Sequence, residues 1–392
     1  MTAGDERALA DFPARITDRV ETPCYLISEE VIARNCSVLD SVQQRTGAKI
    51  LLALKAFALP SLFPLIAKTL HGVCASGPIE ARMGREEFGR EVHTYAPAYT
   101  DVQMERVIRC SDHILFNSTN QWRKHRDRIR AAGRDIEVGL RVNPGHAEVA
   151  IDLYNPCRPG SRFGVHPSDL AGADLNGIDG LHFHALCEQN ADVLERVLAS
   201  FERLYGEYIP RMRWVNFGGG HHITRDDYNV DLLCSLITSF RKRYNNIPVY
   251  LEPGEAVVLN AGVFVASVLD IIENGMQIAI LDCSAETHMP DVLAMPYRPE
   301  IIGADRPGVL PFTYRLGGIS CLAGDVIGDY SFAKPLQPGD RLVLLDMALY
   351  SFVKNTTFNG VELPALITFN RAADTVNVIR RFGYEDYKSR LS

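Results

Sequence analysis

The sequence predicts an α/β protein: a (β/α)8 TIM-like barrel followed by a C-terminal, mostly-β domain. Three observations predict it. Short apolar runs recur between residues 50 and 252. Segments with apolar residues at helical spacing separate them. After about residue 260 that spacing becomes scarce, and Gly and Pro turns take its place. Strand alternating with helix reads as βα units on a parallel sheet. The number of units favours a closed barrel over an open sheet.

The predicted barrel strands are 50–54, 92–95, 113–116, 136–142, 181–184, 214–217 and 249–251. Residues 191–208 and 231–244 are predicted helices. The first places Val193, Val197, Phe201 and Leu204 on one face. Beyond 260, runs 263–269, 278–281 and 341–345 are strand-like, and Pro338-Gly339-Asp340 is a turn before the last. The expected division is a barrel over 22–260 and a β domain over 261–392, joined by part of 1–21. No internal repeat or low-complexity tract interrupts it.

Composition narrows the function. The formal charge is −7 over 392 residues, opposite to the basic footprint that nucleic acid requires. A cationic small-molecule substrate is compatible with that sign. The first 21 residues are polar and lack the apolar core of a signal peptide. The most apolar stretch, 261–272, is too short to span a bilayer and contains Asp270. A cytoplasmic protein without membrane contact is expected. The nine cysteines include no Cys-x-x-Cys pair, so neither a disulfide framework nor a zinc ribbon is indicated.

Catalytic groups of a βα barrel lie at the C-terminal ends of its strands. Here the first run ends in Lys55, and another in Arg141 before Asn143-Pro144-Gly145. Residues 181–183 end in His184. Residues 214–217 run into Gly218-Gly219-Gly220, and 249–251 end in Glu252-Pro253-Gly254. Each has an ordinary explanation. A strand-end Lys is usually solvated, a lone His is usually a satisfied core residue, a Gly triplet can be only a turn, and Glu before Pro can simply end a strand. The conjunction is more informative. A Lys in apolar surroundings can form a Schiff base, and glycines let backbone N–H groups approach a phosphate. A flat His and a strand-end carboxylate complete the four roles that pyridoxal 5′-phosphate requires.

At these residues the chain resembles the fold-type III pyridoxal phosphate decarboxylases, the alanine racemase-like class that includes ornithine, arginine and diaminopimelate decarboxylases. Within it the sequence is most similar to the carboxynorspermidine (carboxyspermidine) decarboxylase family. The resemblance runs from about residue 22 into the C-terminal region. It rests on Leu52-Ala53-Leu54-Lys55-Ala56-Phe57, on 180–188, on Asn216-Phe217-Gly218-Gly219-Gly220, on Glu252-Pro253-Gly254-Glu255-Ala256, on 288–293 and on 318–325.

The resemblance implies a head-to-tail homodimer with active sites shared at the interface. It implies that Lys55 anchors the cofactor covalently and that His184 stacks on its ring. Gly218, Gly219 and Gly220 wrap its phosphate, with Tyr350 reaching that phosphate from the C-terminal domain. Glu252 pairs with the pyridine nitrogen, and Arg141 stands near that nitrogen or the ring hydroxyl. Cys321, from the other subunit, is the general acid. Asp325 binds the distal amine of a cationic amino-acid or polyamine substrate, with Glu286, Asp291, Glu188 and His288 as further lining. The implied reaction is α-decarboxylation to norspermidine or spermidine. Many relatives carry Arg where this chain has Glu255. Ornithine-specific relatives place an acid directly after the cysteine, where Leu322-Ala323-Gly324 here precede Asp325. Both departures point to the carboxynorspermidine branch.

Three alternatives stand beside this reading. Diaminopimelate decarboxylase needs cations for a distal carboxylate, and this chain offers mainly acids. A metal-dependent hydrolase barrel would use His182 and His184, two residues apart on one strand face, with His221, His222, Asp282 and Lys55; it leaves the glycine triplet and Glu252 without roles. A non-catalytic cofactor-binding relative has no use for Lys55 and Cys321. No metal is expected.

Overall fold

The structure is a computed structural model that describes residues 3–392. Two compact units divide the chain: Arg34–Val257, and the residues up to Ala33 together with Val258–Ser392. Strand β1 (Cys24–Ser28) belongs to the second unit. The first unit contains β2 (Lys49–Ala53), β3 (Gly72–Ala75), β4 (Glu91–Tyr95), β5 (His113–Phe116), β6 (Glu137–Arg141), β7 (Gly180–His182), β8 (Trp214–Asn216) and β9 (Val249–Leu251).

Strands β2 to β9 close into a barrel in chain order. The pairs are parallel, and β9 returns to β2 with Lys49 opposite Tyr250 and Ile50 opposite Leu251. Both faces of these strands are covered, which is why they read as apolar runs without alternation. Ile50, Leu51, Leu52 and Ala53 are all buried. The helix Ala191–Tyr205 buries Leu194, Val197, Leu198, Phe201 and Tyr205. Its Phe201 packs 4.9 Å from Phe183, just beyond β7. Inside the barrel, Leu51, Leu115, Trp214 and Tyr250 form one apolar cluster. A Cβ at Gly139 or Gly180 would overlap the Trp214 ring, so the indole fills the space these glycines leave.

The second unit is a nine-stranded sheet with added short helices. Its remaining strands are β10 (Gly262–Glu273), β11 (Gln277–Leu281), β12 (Ala304–Asp305), β13 (Phe312–Gly317), β14 (Val326–Phe332), β15 (Arg341–Leu344), β16 (Ala365–Asn370) and β17 (Thr375–Arg380). They run in the order β12-β14-β13-β11-β10-β1-β16-β17, with β15 on β10. Strand β1 is antiparallel to β10 and parallel to β16, with Cys24 opposite both Val265 and Ala365. Placing a domain boundary at residue 22 puts this strand in the barrel; the structure pairs it with the C-terminal strands instead. All five of its residues are buried, and a strand buried on both faces carries no mark of which sheet takes it. Phe12, Ile16 and Val20 join Leu26, Val263, Val265, Ile367 and Phe369 in the core beneath. Among the described residues, no helix is long and apolar enough to cross a membrane.

Candidate active site

The barrel gathers its strand-end residues at one mouth. Lys55 lies two residues past β2, in a turn where Ala56 N–H bonds to Ala53 O at 3.0 Å. Its side chain is exposed, whereas Leu54, Ala56 and Phe57 around it are buried. Arg141 ends β6 and is buried. Its guanidinium lies 4.8 Å from the Tyr95 ring centre and 4.3 Å from that of Phe163, a cation–π sandwich that fixes its plane. Its Nη2 donates to His184 O at 3.2 Å.

His184 follows β7. Its Nδ1 accepts the Gly219 N–H at 2.9 Å, which leaves the ring proton on Nε2. Burial, then the charges of Lys55 and Arg141, hold this imidazole well below its usual pKa. It is a neutral, flat ring. The Gly triplet makes this possible by close approach. A Cβ at Gly218 would strike Phe183 O, one at Gly219 the Glu252 carbonyl, and one at Gly220 the Leu186 carbonyl. Gly218 and Gly220 also have φ of 71° and 82°, where side chains are disfavoured. Gly218 N–H donates to Asn216 Oδ1 at 2.8 Å. With Gly219 N–H given to His184, the Gly220 N–H is the one in the triplet without an acceptor among the described residues.

Glu252 follows β9. Its Oε1 accepts from Asn216 Nδ2 at 2.7 Å, and its Oε2 lies 3.2 Å from His182 Nε2. Burial alone would raise this carboxyl, but the contacts with His182 and Asn216 prevail and hold it down at about 2. Burial in turn lowers the pKa of His182, so the acid is charged while its partners are neutral donors. Sequence reasoning gave His182 only a metal-ligand alternative and gave Asn216 no role. The signal was the strand-end position that both share with the other site residues. Glu255, in the place of the relatives' Arg, bonds to His222 at 2.9 Å.

The donor set fits pyridoxal phosphate. A buried carboxylate held ionised by neutral donors suits a protonated pyridine nitrogen, an exposed amine on an apolar collar suits an aldehyde, a neutral imidazole plane suits the ring, and a free backbone N–H suits a phosphate.

The sheet unit treats its predicted residues differently. Asp325 is buried. Its Oδ1 accepts from the N–H groups of Ala285 (2.7 Å) and Glu286 (3.3 Å), and its Oδ2 from that of Ser320 (3.0 Å). Its carboxylate ties the first turn of the helix Ala285–His288 to the loop at Ser320, using three of its about four acceptor positions. His288 is also fully buried. Its Nε2 lies 3.0 Å from Glu362 O, and its Nδ1 accepts the Ser284 N–H at 3.3 Å. Both ring nitrogens thus have partners within the chain. Asp291 pairs with Lys354. The Glu286 carboxylate is partly exposed and makes no hydrogen bond or ion pair among the described residues. Cys321 is exposed, on a loop held by its N–H to Asn359 Oδ1 at 2.7 Å. Tyr350 has φ of 55° and stands just before the helix Ser351–Lys354.

The metal reading finds no support in this geometry. Among the described residues, the groups close enough to hold an ion are Glu91, His93 and His113, and none of these belongs to the set that reading required. The His93 and His113 rings stack 3.8 Å apart at 11°. Lys49 already takes Glu91 Oε1 at 2.6 Å.

The chain is 44% identical over 384 residues to the carboxynorspermidine/carboxyspermidine decarboxylase of Campylobacter jejuni, covering 95% of this chain and 99% of that protein. It is also 44% identical, over 371 residues, to the carboxyaminopropylagmatine decarboxylase of Synechocystis, covering 94% and 95%. The crystal structure of carboxynorspermidine decarboxylase complexed with norspermidine from Campylobacter jejuni superposes with a TM-score of 0.87 at 43% identity, covering 95% of this chain and all of that one. The family model described as pyridoxal-dependent decarboxylase, C-terminal sheet domain, matches residues 24–348. With that match added to a barrel mouth built for the cofactor, the chain belongs to the pyridoxal-dependent decarboxylases.

Proposed function

We propose that this enzyme removes the α-carboxylate of carboxynorspermidine and carboxyspermidine, forming norspermidine and spermidine in polyamine biosynthesis. The full-length likeness to the Campylobacter jejuni enzyme carries this reading. In the reaction the bond from the α-carbon to its carboxylate breaks, CO2 leaves and one proton is taken up at that carbon. Pyridoxal phosphate, when bound, supplies the sink for the electron pair left behind.

The chain's own residues do the rest. Lys55 anchors the cofactor through its amine. Glu252 would keep the cofactor's pyridine nitrogen protonated, and Arg141 would help hold the ring. His184 presents its neutral face to the ring. The turn Gly218-Gly219-Gly220 holds the phosphate through the Gly220 N–H, with Tyr350 as a second ligand. Cys321 delivers the proton, each subunit of a homodimer serving the site of the other. Glu286 supports the cationic tail, since its carboxylate is not consumed within the chain. A cytoplasmic location belongs to the same reading.

A second reading, decarboxylation of carboxyaminopropylagmatine, is favoured by the equal identity to the Synechocystis relative. CO2 release from the purified holoenzyme separates them, with carboxynorspermidine, carboxyspermidine, carboxyaminopropylagmatine, meso-diaminopimelate and ornithine as substrates. Turnover of the first two is expected, and Lys55→Ala should lower it at least about 10³-fold. Turnover confined to carboxyaminopropylagmatine selects the second reading. Turnover only of diaminopimelate or ornithine rejects both.

A further inference from the structure

We propose that His182 is a positioning residue for Glu252: together with the Asn216 amide, its Nε2–H holds the carboxylate in one orientation toward the cofactor's ring nitrogen. The inference rests on the role proposed for Glu252.

Barrel register brings the three residues together. His182 ends β7 and stands opposite Asn216, which ends β8; Asn216 in turn stands opposite Tyr250 of β9, two residues before Glu252. Both supporting side chains are buried, His182 at 2% exposure and Asn216 at 0%. Each gives one donor to a different oxygen of Glu252, at 3.2 and 2.7 Å. A carboxylate offers about four acceptor positions, so each oxygen keeps a lone pair for another partner.

The proton positions follow from the hydrogen bonds. Asn216 Oδ1 accepts the Gly218 N–H, so its amide nitrogen faces Glu252. His182 Nδ1 is buried without a partner. A proton there would bury an unpaired N–H and set a bare Nε2 against a carboxylate oxygen, so the neutral ring carries its proton on Nε2. The Tyr95 ring, with its centre 5.9 Å from that of His182, packs beside it. The glycine turn, Asn216, Glu252 and His182 thus form one hydrogen-bonded chain.

Other ionisable groups also face this chain. His93 on β4 acts on both Glu252 and His182, and Arg141 on β6 acts on His182. Cys74 on β3 lies beside Glu252, within reach of the Lys55 charge. None of them replaces the direct bond from His182. Losing that bond leaves burial less opposed, so the acid form of Glu252 should appear at higher pH.

The test compares His182→Phe, His182→Gln and Glu252→Gln. In the holoenzyme, kcat, KM and the pH dependence of the bound cofactor's absorption are measured. In the cofactor-free protein, the affinity for added pyridoxal phosphate and the melting temperature are measured. His182→Phe should lower kcat about 100-fold while KM stays within about threefold, as for removal of a partner that orients an active group. The acid limb of the absorption titration should move up by about one pH unit. His182→Gln, which can donate from nearly the same place, should recover kcat to within about fivefold of the parent. Adding His182→Phe to Glu252→Gln should cause little further spectral change.

The proposal is overturned if His182→Phe leaves the acid limb and kcat in place. It is equally overturned if His182→Gln is as damaged as His182→Phe and both lose melting temperature alike. If Glu252→Gln itself changes neither spectrum nor kcat, the role of Glu252 falls and this inference falls with it. If Glu252→Gln moves both and His182→Phe moves neither, only the role of His182 is lost.

Discussion

The barrel mouth and the loops of the sheet unit both carry polar residues that the sequence marks as functional, yet they use them in opposite ways. At the mouth, Lys55 stays exposed and Gly220 keeps a free N–H, and the carboxylate of Glu252 retains open lone pairs behind its two donors. In the sheet unit, Asp325 accepts three backbone N–H groups and His288 has both nitrogens partnered within the chain. Cys321 is exposed there and Glu286 partly so. A polar residue at a barrel strand end is aimed at the mouth by the pleat, whereas a polar residue in a loop must first satisfy the backbone around it.

That contrast can be broken by substitution. The largest effect is expected at Asp325. Asp325→Ala strips the acceptors from buried backbone N–H groups and should cost about 3 kcal/mol. It should appear as a lower melting temperature, with KM unchanged in the folded protein; a raised KM at unchanged stability would instead make Asp325 a substrate ligand. Glu286→Gln should do the reverse, raising KM about five- to tenfold, which is about 1 kcal/mol, without moving the melting temperature. A loss of stability instead would make Glu286 another structural acid. Asp291→Asn should be the mildest. Its ion pair with Lys354 is partly exposed, with side chains 18% and 40% accessible, so about 0.5 kcal/mol is at stake. Denaturant titration should scarcely register it, and KM should hold.

Much of this was legible in the sequence, for reasons particular residues make clear. The run 113–116 coincides with β5 and 249–251 with β9, because apolar strands bounded by turns are read locally. Gly72–Ala75 escaped notice as β3. Four residues that open with Gly and include Cys carry too little apolar pattern, and their strand character comes from neighbours on either side. The place of Lys55, His184 and Glu252 at the barrel mouth was readable because strand-end position is itself the signal. The hold of His182 on Glu252 spans 70 residues, and no local pattern records such a bond. Asp325 is ambiguous for a related reason: a carboxylate that caps backbone N–H groups and one that binds an amine are the same letter.

Strand β1 sets an order of events during synthesis. Cys24–Ser28 leaves the ribosome before any barrel strand, yet its partners β10 and β16 begin at residues 262 and 365. The whole segment Arg34–Val257 can be made while this apolar pentapeptide waits unpaired. Long-range pairing of this kind is slow, and unpaired strand edges are prone to aggregate. The sheet unit therefore forms only after nearly the entire chain has emerged. A nascent chain halted at residue 257 would hold every barrel strand and still carry β1 without a sheet to enter.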